Sequence, residues 1–285
     1  MTGAASVASG NPDVWVIGTA SLDVLHFAGQ TVHTIGGAGL YTALAVRRAG
    51  GRAGLFAPRP RPMPAALQPL AEHVYWVGPE ISPDDLPRLE IAHHGEGRAT
   101  LLNASWGAEA RLLPDDLPPE IWSARVVHIA ALSSARRQLA FADALRRGGS
   151  SPRSPLLSAG TYARLVFAET DSVLQLISES RFFFMNENEA RGLFGRLEDV
   201  RSQPGQTIFV TLGAEGARVF EAQKYTSIPA VPADELDPTG AGDTFCGAVL
   251  ASLSRGLPVE EAARLGVRLA AQTISAPGPA ALLGK

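Results

Sequence analysis

At 285 residues, 46% of them hydrophobic, the chain is long enough to bury a substantial core within one large domain. A net charge of −3 excludes the strongly basic surface that a nucleic acid or an anionic membrane would need as a partner. The lone Cys246 excludes an internal disulfide, and the absence of any Gly-Lys-Ser/Thr string excludes a lysine-type phosphate loop.

The first eleven residues lack a basic segment and an apolar core, so they read as a loose tail and not as a signal peptide. No run of about 18 apolar residues occurs, and a cytoplasmic protein without a membrane partner is expected. Residues 14–18 form a short apolar run closed by Gly18, the pattern of a buried parallel strand. Alternation over 24–35, broken at Gly29, predicts a hairpin. Gly36-Gly37-Ala38-Gly39 then leads into an amphipathic helix over 40–49, stopped by Gly50-Gly51. Asp23, just ahead of the hairpin, suits a turn cap as well as a ligand.

Residues 52–57 and 74–77 read as strands, and 90–94 with 98–103 as a second hairpin. His93 and His94 are neighbours on a strand and point to opposite faces, which argues against a metal site. Residues 114–122 read as a linker with a short helix, 126–129 as a strand and 136–147 as a helix. A turn-rich loop over 150–155, a strand over 155–158 and one long helix over 162–180 follow. The hydrophobic strand 182–185 feeds Asn186-Glu187-Asn188-Glu189. Asn186 and Glu189, three apart, share a face of the first helical turn. An amide oxygen and a carboxylate there suit magnesium, and they equally suit a helix cap. Strands over 207–212 and 217–220 flank Gly213-Ala214-Glu215-Gly216, and helices over 244–255 and 259–274 end the pattern. Alternating strands and helices predict an α/β fold with a mainly parallel sheet covered on both faces.

One string stands apart: Asp237-Pro238-Thr239-Gly240-Ala241-Gly242-Asp243-Thr244-Phe245. Pro238 holds Asp237 away from helical geometry, and the small residues at 240–242 let a ligand approach the backbone. The N–H groups of the first helical turn then face the loop and favour an anion. Asp243 at the rim is placed to take a proton from an attacking hydroxyl. Taken alone, it also suits a residue that complements the helix dipole.

The string resembles the C-terminal motif of the ribokinase-like (phosphofructokinase-B type) carbohydrate kinases, and the likeness runs from residue 14 to about 278. It implies a single ribokinase-like domain with a small β lid built from segments near 23–36 and 90–110. Gly240, Ala241 and Gly242 would form the anion hole for the transferred phosphoryl group, with Asp243 as the catalytic base. Asp23, Gly36 and Gly37 would hold the acceptor's hydroxyls. Asn186 and Glu189 would steer magnesium, and Thr211, Gly213 and Gly216 would line the ATP. Sugar kinases of this kind carry Asn where the chain has Tyr41, and a Tyr here is similar to the inositol-kinase-like branch. Tyr41 would then meet the acceptor through one hydroxyl and an apolar ring. The implied reaction is phosphorylation by ATP, with Mg2+, of a hydroxyl on a small sugar or cyclic polyol. A nucleoside kinase or a non-catalytic sensor of the same fold is the alternative, and a homodimer is allowed. A dinucleotide dehydrogenase does not fit, because its Gly-x-Gly-x-x-Gly should follow the first strand.

Overall fold

The computed structural model describes residues 10–27, 29–95, 98–148 and 154–283. Its first strand, β1 (Val14–Ile17), is wholly apolar and buried on both faces, as a central parallel strand must be. The hairpin β2 (Ser21–Phe27) and β3 (Gln30–Gly36) follows, then α1 (Ala38–Arg48) and β4 (Ala53–Phe56). Next come β5 (Arg59–Pro60), α2 (Gln68–Ala71), β6 (Tyr75–Val77) and β7 (Glu80–Ile81). The second hairpin is β8 (Arg88–Gly95) with β9 (Arg98–Ser105); the side chains of His93 and His94 lie outside the described residues.

Where a short helix was expected over 114–122 there are only 3-10 turns, Pro114–Asp116 and Pro119–Ser123. Pro118 and Pro119 lack N–H groups and push the preceding Leu117 off helical geometry. Regular alternation then resumes through β10 (Val126–Ile129), α3 (Ala135–Gly148), β11 (Leu156–Gly160), α4 (Ala163–Ala168) and α5 (Thr170–Glu179). Most of the expected 150–155 loop lies outside the described residues. Last come β12 (Phe182–Asn186), α6 (Glu187–Phe194), β13 (Thr207–Thr211), β14 (Ala217–Glu221), β15 (Lys224–Ile228), α7 (Ala241–Ser254) and α8 (Val259–Ile274).

The single helix expected over 162–180 is two, because Glu169 breaks it with φ −136° and ψ 41°. Its carboxylate turns instead to the start of α3, accepting from the Arg136 N–H at 3.0 Å and the Ser134 hydroxyl at 2.8 Å. Glu169 thus caps a neighbouring helix. Glu169→Ala should lower stability by about 1 kcal/mol, read as a downward shift in the urea midpoint at constant m-value.

Nine strands form the main sheet in the order β15-β14-β13-β12-β11-β10-β1-β4-β6. It is parallel from β6 to β13 and ends in the antiparallel pairs β13–β14 and β14–β15. The chain leaves β1 toward β4 and β6, then returns to the other side of β1 at β10. Such a reversal of strand order opens a crevice at the carboxyl ends of the strands, where ligands bind in α/β sheets. Strand alternation divides the core: Val14 and Val16 face α1, α7 and α8, while Trp15 and Ile17 face α3 and α5.

A second sheet, in the order β3-β2-β8-β9, forms the lid. It ends at Ser105, short of the expected residue 110. Residues 107–111 make a 3-10 turn of the body, where buried Glu109 pairs with Arg137 of α3 at 2.8 Å. No helix among the described residues is long and apolar enough to cross a membrane.

Candidate active site

The head of α7 is shaped by Gly240, its N-cap, which sits in the left-handed region at φ 74°. A Cβ there would also come within 2.3 Å of the Tyr41 ring, so both backbone and packing demand glycine. The Ala241 N–H is already given to the Pro238 carbonyl at 3.2 Å, so Ala241 shapes the loop more than it offers a donor. Around Gly242 the space where a side chain would stand is open. An anion can therefore reach the backbone of this first turn.

Asp243 is half-buried on that turn, and its carboxylate makes no hydrogen bond or ion pair with any described residue. Loss of solvent pushes its pKa up to about 7. A carboxylate spent on capping would show a bonded N–H, and this one has none. Glu189 is close enough to feel its charge: burial first, and Asp243 in addition, push Glu189 up to about 7.

Asn186 and Glu189 form a capping box at the start of α6. The Asn186 side chain accepts from the Glu189 N–H at 3.0 Å, and Glu189 accepts from the Asn186 N–H at 2.8 Å. Their side chains also meet, Nδ2 donating to Oε1 at 2.7 Å. The two residues are thus together and near Asp243, but turned onto one another. Among the described residues no group of three or more His, Cys, Asp or Glu side chains could cage a metal. One or two carboxylates beside an anion site suit magnesium that keeps its waters and binds mainly through phosphate oxygens.

Thr211 ends β13 directly beside Asn186, its partner across the parallel ladder. Past it, Gly213 has open space above its Cα, as a loop approached by a nucleotide requires. Gly216 differs: a Cβ there would lie 2.1 Å from the Ile228 carbonyl, so its bareness serves the β14–β15 edge.

On the lid side Asp23 is buried, accepts from the Leu89 N–H at 3.1 Å, and has its pKa pushed up to about 6 by burial. A Cβ on Gly36 would fall 1.7 Å from its Oδ2, and one on Gly37 2.4 Å from the Thr19 carbonyl. Gly36 and Gly37 therefore let the chain close over Asp23. Asp23 lies in the wall of a cleft of about 400 Å³ that Leu22, Val24, Ile35, Ala66 and Pro279 also line, with the polar His33, Thr34 and Arg88. Tyr41 joins the two halves. Its buried hydroxyl has no partner, and burial together with the charges of Asp237, Asp23 and Asp243 holds its pKa well above 10. It remains a neutral donor in a ring of three carboxylates.

Three features escaped the sequence reading. Asp237 is buried and accepts from the N–H groups of Thr239 at 3.0 Å and Gly278 at 2.8 Å. Pro279 walls the cleft, from the far end of the sequence. Under α7, buried Cys246 lies 3.6 Å from His128 Nε2, whose Nδ1 is 2.9 Å from the Ser158 hydroxyl. Only Asp237 carried a local signal, its place at the head of the 237–245 string.

Comparison with known proteins places the chain in a family. The profile of the pfkB family carbohydrate kinases matches residues 10–284. The chain belongs to that family. It is a phosphotransferase with a hydroxyl acceptor, a sugar or nucleoside kinase by class. A cytidine kinase of Thermococcus kodakarensis is 28% identical over 92% of this chain and 96% of its own. A fructokinase of Salmonella typhimurium is 29% identical over 93% and 92%. The solved ribokinase of Cryptococcus neoformans var. grubii, in complex with ADP, has a TM-score of 0.77 at 20% identity, over 95% of both chains. The ribokinase-like fold expected from the sequence is the fold observed.

Proposed function

We propose that this pfkB-family kinase uses ATP and magnesium to phosphorylate one hydroxyl of a small polyhydroxylated acceptor, and that a nucleoside fits its cleft best. The observation carrying the phosphoryl-transfer part is the unpartnered Asp243 carboxylate at the open head of α7. There it takes the proton of the attacking hydroxyl while the open backbone at Gly242, in a loop that Gly240 and Ala241 shape, receives the transferring phosphoryl group. Thr211 and Gly213 form the loop against which ATP lies, and Gly216 closes that loop onto the β14–β15 edge. Asn186 and Glu189 would hold magnesium through its waters, and the ion would supply positive charge to offset that of the phosphates.

The acceptor is read from the cleft. Asp23 accepts hydrogen bonds from adjacent hydroxyls, as a furanose diol offers, while Leu22, Val24, Ile35, Ala66 and Pro279 offer apolar wall to a flat base and His33, Thr34 and Arg88 offer polar groups to its edge. The full-length match to a cytidine kinase points the same way. A cyclic polyol of the inositol type is the second reading, favoured by Tyr41, whose free hydroxyl suits an acceptor with hydroxyls on every side. An ADP-release screen over cytidine, uridine, adenosine, inosine, ribose, fructose and inositols tests both. Turnover on nucleosides supports the first reading, turnover on inositols alone the second, and no ADP with any acceptor defeats the kinase reading.

Magnesium steering has its own test. Glu189→Gln keeps an oxygen for the Asn186 N–H but sets its NH2 against Asn186 Nδ2, so a melting curve is read beside the magnesium titration. The midpoint of a magnesium titration of ADP release should rise by roughly three- to tenfold, the scale of one lost carboxylate contact. An unchanged midpoint removes Glu189 from that role.

A further inference from the structure

The Asp237 carboxylate, absent from the roles above, lies between the catalytic loop and the end of the chain. One oxygen takes the Thr239 N–H, within the loop that leads to Asp243. The other takes the Gly278 N–H, in the turn after α8. The backbone N–H groups of Leu236 and Asp237 add two more ties, to the Ile274 carbonyl at 2.8 and 3.0 Å. This end of the chain is therefore fixed to the catalytic loop. Its turn then meets the lid: Gly278, at φ 52°, leaves no room for a side chain, because a Cβ would sit 2.7 Å from Thr34 Oγ1 on β3. The same Cβ would lie 3.9 Å from the Tyr41 hydroxyl, and the next residue, Pro279, walls the acceptor cleft.

We propose that Asp237 and the turn at 276–279 form a brace that transmits the position of the catalytic loop to lid strand β3, making Asp237 and Gly278 positioning residues for phosphoryl transfer. The inference deepens the kinase reading, since it says what sets the lid's height above the acceptor. Asp23 and the diglycine hold the acceptor from β2 and the end of β3, whereas Asp243 takes the acceptor's proton from α7. These two halves lie on separate sheets and elements, and a fixed distance between them requires a contact that touches both. The 276–279 turn makes that contact. It is bonded to the loop on one side and packed on Thr34 on the other.

The test uses the full chain and begins with amide hydrogen exchange, which needs no substrate. Gly278→Ala and Asp237→Asn should each speed exchange over residues 30–36 while leaving β1 and β10 protected as in the parent. Adding Thr34→Ala to Gly278→Ala should recover part of the protection at 30–36, because it removes the clash with the Thr34 side chain while the strain of Ala at φ 52° stays. With whichever acceptor the parent turns over, its KM should rise about five- to tenfold in the single variants with the KM for ATP unchanged. Unchanged exchange at 30–36, exchange rising equally in β1 and β10, or acceptor and ATP KM rising together would each overturn the brace. If the parent phosphorylates nothing, the kinase reading fails while the exchange result still decides the brace.

Discussion

Asp243→Asn should cut turnover by roughly 10²–10⁴-fold, the usual worth of a general base, while ATP still binds. The amide keeps the shape of the carboxylate but cannot take the proton of the acceptor hydroxyl. Turnover of the parent should also rise with pH through about 7, because the base works only when ionised and burial holds its pKa near that value. Stability should move the other way. The folded state raises this carboxyl from 3.8 to about 7, so it binds the proton more tightly than the unfolded chain does. The group's contribution to stability is complete below 3.8 and is lost as pH climbs through about 7. The Asn variant escapes that loss and should melt no lower than the parent at about pH 8. A carboxylate that merely capped α7 would give the opposite pair, near-normal turnover and a fold weaker by about 1 kcal/mol. One melting curve and one ADP assay separate the two.

Asp23→Asn should raise the acceptor's KM roughly 10- to 100-fold, since hydrogen bonds to a charged group are worth about 1.5–3 kcal/mol. Calorimetric ATP affinity should barely change. Below pH 6 the parent should itself weaken toward its acceptor, because burial places the Asp23 pKa at about 6 and the protonated acid accepts fewer hydroxyls. An equal loss of ATP affinity would make Asp23 a structural residue that holds Leu89 of the lid.

The parts of the site that could be read from sequence are those whose chemistry is local. Gly240, Gly242 and Asp243 lie within four residues, and the strain and exposed amides that define them come from that string alone. Asn186 and Glu189 were legible as a pair but ambiguous in role, and the capping box shows why: the same spacing serves a helix start and a cation. The break at Glu169 was hidden because its cause is Ser134 and Arg136, at the head of another helix. Asp237 met the same limit, its decisive partner Gly278 being far along the chain. The end of the lid at Ser105 follows from burial of Glu109 against Arg137, which no periodicity records. Apolar runs located the strands well, since the central strands are buried on both faces and leave no other reading.

The place of β1 between β4 and β10 carries a kinetic consequence. Val14 pairs with Ala53 on one side, but on the other it must wait for Val126. During synthesis, until the second partner emerges, β1 presents an open edge of Val, Trp, Val and Ile to the surroundings. Pairings between such distant segments also slow refolding, because a long loop must close before any contact rewards it. Nascent chains arrested before residue 126 should therefore associate with chaperones or each other through β1, and once β10 has emerged and paired the open edge passes to β10 until β11 follows.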